Sequence, residues 1–254
     1  MVNTLDTLLR WTGRDLAPLD GEPASALLVA DSWLVDEGYE RAAAAHWARF
    51  AKSCLQLGVV RAELGAFEAA ARAALPREGR WFPRVELTAE GLGLRLRRAP
   101  RVGGPGSARV LIGPPGDPRE APLRKGPDLA LLESLRAGAR EHGADELLLC
   151  DGSGTLLEGA LSSLLWWEDE ALCTTIDEHA LPGVTRALLL ARAGERGVEV
   201  RKRAPRPEEL DGRETWLTSA LHGIRVVRGW VGSPIEAGAA ERAPAWREEL
   251  DRDG

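Results

Sequence analysis

One lysine, Lys125, is the first candidate for chemistry, because an amine that acts as a nucleophile in a protein is usually that of a lysine. The chain holds 33 lysines and arginines, and only Lys52, Lys125 and Lys202 are lysines. Lys125 follows a proline-rich stretch and directly precedes a predicted helix. Such a lysine is most often a solvated surface residue, but burial would depress its pKa and make the amine reactive.

Glu158 is the second candidate, and it closes a predicted strand that follows the turn at 151–154 (DGSG). A lone glutamate at the end of a strand is usually just exposed. Beside the nitrogen of a pyridine ring, however, its carboxylate would keep that nitrogen protonated. The ring would then accept electrons from a neighbouring carbanion. Glu158 is therefore a candidate partner for a heteroaromatic group.

Two turns could bind a phosphate group. The first, residues 181–186 (LPGVTR), opens a helix predicted to end at Gly197. Its free backbone N–H groups would point at an anion, and the helix dipole would favour the negative charge. These groups belong to Gly183, Val184 and Thr185. The simpler interpretation is an ordinary N-cap at Thr185. The second turn, 217–220 (LTSA), follows a predicted strand, and the Ser219 hydroxyl with neighbouring amides could hold the remaining oxygens.

Arg49 is the candidate in the first half of the chain. It shares one face of a predicted helix, 42–56, with His46. A solvated face or a salt bridge is the default interpretation. As the partner of a phosphate, Arg49 would supply a strong, charge-assisted contact.

The elements that must position these residues change character along the chain. In the first half, strands and helices alternate irregularly, and they are predicted at 27–36, 42–56, 59–74, 81–88, 92–98 and 108–112. The stretch 113–122 holds four prolines and is predicted to be an interdomain linker, because prolines at this density neither pair in a sheet nor continue a helix.

After the linker, helices alternate with short strands. These elements are predicted at 128–142, 146–150, 155–159, 162–167, 171–175, from 184 to about 196, and within 215–231. The pattern predicts an α/β (α+β) protein of two domains. The smaller N-terminal domain spans 1–112 and the larger C-terminal domain spans 123–254.

Composition limits the kind of protein. The net charge of −6 argues against a nucleic-acid binder, and no apolar stretch is long enough to cross a membrane. The N-terminus lacks the features of a signal peptide, so we expect a cytoplasmic protein. Its three cysteines and four histidines are scattered, which predicts neither disulfides nor a metal site.

The ordered set of these motifs resembles the class IV aminotransferases, the fold-type IV enzymes that use pyridoxal 5′-phosphate (PLP). The resemblance covers most of the chain and is strongest between Lys125 and Val227. There, a lysine before a helix is followed by 143–159 (GADELLLCDGSGTLLEG), 161–163 (LSS) and 181–186 (LPGVTR) in family order. A second patch, beginning at His46, is similar to the family's H-x-x-R-[LF]-x-x-S helix.

The resemblance implies a role for each candidate residue. Lys125 would hold PLP as a Schiff base and later move a proton, and Glu158 would pair with the pyridine nitrogen. Phosphate ligands would come from the side chain of Arg49 and from the two turns, at Gly183, Val184, Thr185, Ser219 and Ala220. The family architecture has two α/β domains with the cofactor in the cleft between them. It also implies a homodimer that acts on an amino acid and a keto acid.

The substrate side of the site is less well marked. Ser32 or Arg98 could contact a substrate carboxylate. The family's glycine-acid-glycine strand is not evident near Asp31, and Ser162-Ser163 and Val226-Val227 replace the family's usual pairs. These departures concern the substrate pocket more than cofactor binding.

Three functions remain open on the sequence. A general aminotransferase is favoured, because that branch of the family is broad. The alternative is 4-amino-4-deoxychorismate lyase, which would release pyruvate and form 4-aminobenzoate, since residues 218–224 (TSALHGI) are similar to a turn seen in that branch. A non-catalytic binding protein is the second alternative, because nine tryptophans could line a recognition surface.

Overall fold

The computed structural model describes residues 6–21, 25–100 and 106–252. The chain divides into two compact units. The first consists of Met1–Arg101 with the short segment Arg124–Pro127, and the second consists of Val102–Leu123 with Asp128–Asp253. Lys125 therefore lies in a segment that packs with the first unit, although its neighbours in the chain belong to the second.

The first unit contains a five-stranded antiparallel sheet in the order β2-β1-β8-β7-β3, a small three-stranded sheet in the order β5-β4-β6, and two helices. Its elements are β1 (Thr7–Trp11), β2 (Leu16–Pro18), β3 (Val29–Ser32), β4 (Val35–Asp36), β5 (Tyr39–Glu40), α1 (Ala43–Gln56), α2 (Arg61–Ala73), β6 (Arg80–Trp81), β7 (Arg84–Thr88) and β8 (Gly91–Leu96).

The core of the first unit lies between the larger sheet and the two helices. Side chains alternate along a strand, so Val85 and Leu94 face this core while Glu86 points to the opposite face. Trp47 and Phe67 of the helices pack edge to face, with ring centroids 5.9 Å apart. The apolar stripe of each helix thus covers one face of the sheet and leaves the other face to polar residues.

The second unit is built on one eight-stranded mixed sheet in the order β11-β10-β9-β16-β15-β12-β13-β14. Its elements are β9 (Ser107–Ile112), α3 (Leu129–Glu141), β10 (Glu146–Cys150), β11 (Leu156–Gly159), β12 (Ser163–Glu168), β13 (Ala171–Thr175), α4 (Val184–Glu195), β14 (Val200–Arg203), β15 (Thr215–Ser219), β16 (Gly223–Val231) and α5 (Ala243–Arg252).

The two faces of this sheet carry separate apolar clusters. Trp166 and Trp167 are neighbours in β12, yet Trp166 belongs to one cluster and Trp167 to the other. The second cluster also holds Trp216 and Trp246, whose rings lie 5.8 Å apart. These tryptophans are buried, so they stabilise the fold and do not form a recognition surface.

The contacts place two segments differently from the predicted boundaries of 1–112, 113–122 and 123–254. The strand β9, predicted as the end of the first domain, is hydrogen-bonded between β10 and β16 in the sheet of the second unit. Residues 124–127, predicted to begin the second domain, pack with the first unit. Both placements depend on pairing between residues far apart in the chain, and a proline-rich stretch does not report on such pairing.

Within the described part of the chain, no helix combines the length and apolar character needed to cross a bilayer.

Candidate active site

The backbone of Lys125 is fixed against β3. The N–H group of Ala30 donates to the carbonyl oxygen of Lys125 over 2.7 Å. The next residue, Gly126, has a φ of +138°, and a Cβ there would come within 2.8 Å of the Cα of Val29. Only glycine therefore allows the chain to lie this close to the strand. The half-buried Lys125 is held beside β3, just before α3.

Asp31, the next residue of β3 after Ala30, is a fully buried carboxylate. It accepts two hydrogen bonds from Arg49, from Nε to Oδ2 and from Nη2 to Oδ1, each 2.7 Å long. The Nδ1 atom of His46 lies 2.8 Å from Oδ1. Burial works to raise the pKa of Asp31, but the charges and hydrogen bonds of Arg49 and His46 outweigh it and hold that pKa below its ordinary value.

These contacts bring Lys125 into one cluster with His46 and Arg49 of α1. Burial lowers the pKa of His46, and the nearby charges of Arg49 and Lys125 lower it further against the opposing pull of Asp31. Arg49 was predicted to bind phosphate, and in this structure its guanidinium is held in a two-point ion pair with Asp31. A role toward phosphate stays a prediction.

The two residues suggested for the substrate carboxylate are not brought together. Arg98 is exposed beyond the end of β8 and stacks on the ring of Trp81 at 4.0 Å. It is Arg97 that reaches Ser32, donating from Nη2 to the hydroxyl oxygen over 3.2 Å. Because side chains alternate along an extended chain, neighbouring arginines point to opposite sides. The sequence could not decide which of the two lies beside Ser32.

Glu158, on β11 of the second unit, is a buried carboxylate. One of its oxygens, Oε1, accepts from Leu181 N–H over 2.9 Å and pairs with Nη1 of Arg119. No residue in the described ranges donates to the other oxygen, Oε2. Burial raises the pKa of Glu158 to about 7, although Arg119 and the Leu181 amide pull in the opposite direction. The fold thus joins Glu158 to the first residue of the LPGVTR turn.

Arg119, which contacts Glu158, is a candidate site residue that the sequence did not reveal. Its side chain is only 2% exposed, and it makes a two-point contact with Asp117, with both N–O distances at 2.8 Å. A further hydrogen bond of 2.7 Å runs from Nη2 to the carbonyl oxygen of His179. Burial would lower the pKa of Arg119, but Asp117 and Glu158 raise it. One arginine in a proline-rich stretch of an arginine-rich chain carries no signal that could have singled it out.

The LPGVTR turn forms an uncapped helix N-terminus. Gly183 is the N-cap of α4, and no side chain of the described residues caps the helix, so the alternative of an N-cap at Thr185 is wrong. Val184 and Thr185 are buried in its first turn. A Cβ at Gly183 would come within 2.4 Å of the hydroxyl oxygen of Ser163. The first N–H groups of α4 therefore have no protein acceptor within the helix, as an anion site requires.

The second predicted turn lies beside the first through strand pairing. Ser163 of β12 is the register partner of Thr218 of β15. The Thr218 hydroxyl is buried and has no hydrogen-bond partner within the described residues. The Ser219 hydroxyl instead accepts from His222 N–H over 3.3 Å, and Ala220 begins the turn between β15 and β16. Thr218 is thus an additional candidate ligand next to the predicted Ser219.

The groups in the second unit fit a phosphorylated heteroaromatic molecule. An uncapped helix N-terminus and an unpartnered buried hydroxyl suit a phosphate. A carboxylate with one open oxygen suits a protonated ring nitrogen. In the described ranges, no three acidic, histidine or cysteine side chains are placed to hold a metal ion.

Comparison with known proteins agrees with this geometry. Residues 114–230, just under half of the chain, match the family described as amino-transferase class IV. The branched-chain-amino-acid aminotransferase of Salmonella typhimurium is 39% identical over 111 residues, which are 42% of this chain and 36% of that protein. This chain therefore matches little more than a third of the length of that relative. The predicted resemblance to the family is confirmed over the matched residues.

Solved structures confirm the predicted α/β (α+β) aminotransferase fold over nearly the whole chain. The PLP-bound form of a hypothetical aminotransferase from Mycobacterium tuberculosis superimposes with a TM-score of 0.83 at 19% identity, covering 98% of each chain. A putative 4-amino-4-deoxychorismate lyase from Legionella pneumophila gives a TM-score of 0.76 at 17% identity, covering 93% of this chain and 96% of that one. Both reactions that the sequence left open are thus represented among proteins of this fold.

Proposed function

We propose that this protein is a PLP-dependent aminotransferase of the class IV type, which moves an amino group between an amino acid and a 2-oxo acid. One observation carries the proposal. Buried Glu158, with one open oxygen, is hydrogen-bonded to Leu181 at the start of the uncapped turn of α4. Both features lie within the residues that match the family.

Each residue has a distinct task in this proposal. When bound, PLP supplies an electron sink that stabilises a carbanion at the substrate Cα. Glu158 would hold the ring nitrogen in its protonated form. Lys125 would bind the cofactor covalently through Nζ, and after release it would take the proton from the substrate Cα. Its fixed backbone beside β3 limits where that amine can reach.

The phosphate would be held by two turns and a side chain. Among the described residues, the N–H groups of Val184 and Thr185 and the Thr218 hydroxyl have no hydrogen-bond partner, so binding would not break a bond that the structure shows. Ser219 and Ala220 would complete the cup. Arg49 would contribute its charge while remaining oriented by Asp31.

The absorbance spectrum between about 300 and 500 nm tests the central claim, as a lysine-bound pyridine aldehyde absorbs in this range. The protein purified with PLP should show a near-visible band, and borohydride should fix the cofactor on the peptide that contains Lys125. Lys125→Ala should show neither. Lys52→Ala, which removes an exposed lysine of α1, should behave like the unmodified protein. A protein that takes up no PLP would refute the proposal.

The lyase remains a second candidate, because residues 218–224 (TSALHGI) are similar to a turn of the lyase branch and begin at Thr218, whose buried hydroxyl has no hydrogen-bond partner within the described residues. A loaded enzyme that converts aminodeoxychorismate into 4-aminobenzoate and pyruvate, and that leaves amino acids untouched, would replace the aminotransferase assignment. If an amino acid shifts the near-visible band to the shorter wavelength of an aminated cofactor, the result would support the aminotransferase assignment.

We further propose a homodimer in the cytoplasm. The resemblance supports the dimer. Cys54, Cys150 and Cys173 are free and buried, which agrees with a reducing compartment but does not require it.

A further inference from the structure

We propose that Arg119 is a positioning residue that keeps Glu158 ionised and thereby places the proton of the Glu158–pyridine pair on the ring nitrogen. The inference rests on the proposed function, because it concerns the cofactor that this function requires. It assigns a task to a residue outside the motifs that carry the family resemblance.

Arg119 contacts only one of the two carboxylate oxygens of Glu158. Its Nη1 atom and the Leu181 amide both donate to Oε1 of Glu158. Oε2 is left as the acceptor for another donor. A protonated ring nitrogen is such a donor, so ligand binding and the contact with Arg119 do not compete for the same oxygen.

Other hydrogen bonds hold the Arg119 guanidinium in place beside Glu158. Its Nε and Nη2 atoms are held by Asp117, and Nη2 also donates to the His179 carbonyl oxygen. The guanidinium cannot rotate away from Glu158 without breaking these bonds, and with its side chain only 2% exposed it has little access to water as a replacement partner. It also cannot lose its own proton, because an arginine side chain stays charged in proteins.

Arg119 is the cation in direct contact with Glu158. It lies between two carboxylates, those of Asp117 and Glu158. Arg186, which also acts electrostatically on Glu158, pairs with Asp177, and Asp177 also pairs with Lys202. The three carboxylates and three cations of this group balance, so removing the charge of Arg119 would leave one negative charge in excess and favour a protonated Glu158.

Without Arg119, the proton shared by Glu158 and the ring nitrogen would lie on Glu158. Burial already raises the pKa of Glu158 to about 7 with Arg119 in place. Removing that charge would raise it further, and the carboxylic acid would then donate to a neutral ring nitrogen. The pair would contain the same number of protons, but the ring would lose its positive charge and much of its capacity to accept electrons.

Nitrogen NMR of the protein loaded with PLP that carries ¹⁵N in its ring tests this directly, because the chemical shift distinguishes pyridinium from neutral pyridine. The unmodified protein should give the pyridinium signal. Arg119→Gln, which keeps a polar side chain without the charge, should move the signal to the neutral position. Arg119→Lys, which restores a charge, should move it back toward pyridinium.

Arg225→Gln is the matched control, because the side chain of Arg225 is also buried, at 8% exposed, and pairs with a different carboxylate, Glu146, at 3.2 Å. A merely structural role for Arg119 would make both glutamine variants less stable and leave both pyridinium signals in place. The inference would be overturned if the Arg119→Gln protein, loaded with PLP, kept the pyridinium signal. If the glutamine variant does not fold, a neutral ring in the loaded Arg119→Lys protein would overturn the inference instead. In either case PLP is bound, so the proposed function would stand. Failure of the unmodified protein to bind PLP would overturn both.

Discussion

Two buried carboxylates, Asp31 and Glu158, illustrate how neighbours set the ionisation of single residues. Burial raises the pKa of each group. Two cationic or polar partners reverse the effect at Asp31, whereas the contacts of Glu158 reduce it only in part. The pKa of Asp31 is therefore low and that of Glu158 is about 7. The first carboxylate is suited to a permanent ion pair, and the second is suited to sharing a proton with a ligand.

Replacing Asp31 should destabilise the protein in a way that depends on pH. Asp31→Asn removes the ion pair between Asp31 and Arg49, and breaking such a buried pair costs roughly 3–5 kcal/mol. Because the folded pKa lies below the unfolded one, the stabilisation by Asp31 is present above about pH 4 and is lost as the pH falls further. Urea unfolding at pH 7 and at lower pH measures the difference. A difference that grew in acid would contradict this account.

Replacing Glu158 should weaken cofactor binding more than folding. Glu158→Gln cannot form a charged contact with a ring nitrogen, and a hydrogen bond to a charged group contributes about 1.5–3 kcal/mol. Loss of this energy corresponds to a rise of roughly 10- to 100-fold in the Kd for PLP, which tryptophan fluorescence can measure. Glu208→Gln, on an exposed turn, should leave the Kd unchanged. Equal Kd values for the two variants would exclude Glu158 from the site.

At the scale of elements, the start of α4 is set by close packing with β12. Gly183 has an ordinary φ of −65°, so alanine is allowed there by its backbone and excluded only by contact with Ser163. Gly194, in the last turn of the same helix, is exposed and has open space around it. The two glycines therefore separate the effect of packing from the effect of helix propensity.

Gly183→Ala should displace the first turn of α4 and reduce affinity for inorganic phosphate and for PLP, by about tenfold for each 1.4 kcal/mol lost. Gly194→Ala should leave both affinities unchanged and stabilise the helix by roughly 0.5–1 kcal/mol. Isothermal titration with each ligand and thermal unfolding provide the readouts. If Gly183→Ala bound phosphate normally, the turn would not be the phosphate site.

The sequence predicted most helices and strands, but it did not predict which strands pair or which side chains meet. The period of apolar residues predicted α1, α3 and β10 to within a residue or two, since local pattern determines them. The strand β14 was missed because its sequence, VRKR, has no apolar alternation and pairs in parallel with distant β13. Glu158 and the LPGVTR turn could be proposed from the sequence. Arg119, Thr218 and the choice of Arg97 over Arg98 needed the pairing of strands and the direction of each side chain.

At the scale of the whole molecule, each unit has its own apolar core, with separate groups of tryptophans. A core of this kind can support folding of each unit as a block. A second property at this scale is assembly, for which the resemblance implies a pair of chains.

The proposed homodimer predicts a mass near twice 27.4 kDa in solution. Light scattering coupled to size-exclusion chromatography at several protein concentrations measures this mass. A single species of 27.4 kDa at all concentrations would contradict the dimer, and it would leave the residues assigned to PLP unaffected.

The position of residues 124–127 has a consequence for how this protein can be divided or recombined. The chain leaves the second unit for four residues, pairs Lys125 with β3 and returns at Asp128. A gene fragment that ends at residue 101 would encode every strand of the first unit but would leave the N–H group of Ala30 without its acceptor. A fragment that begins at residue 102 would carry the lysine without the strand that holds it. Neither half is a module that evolution or an engineer can exchange alone, because Lys125 is encoded with one half and its backbone is held in place by the other.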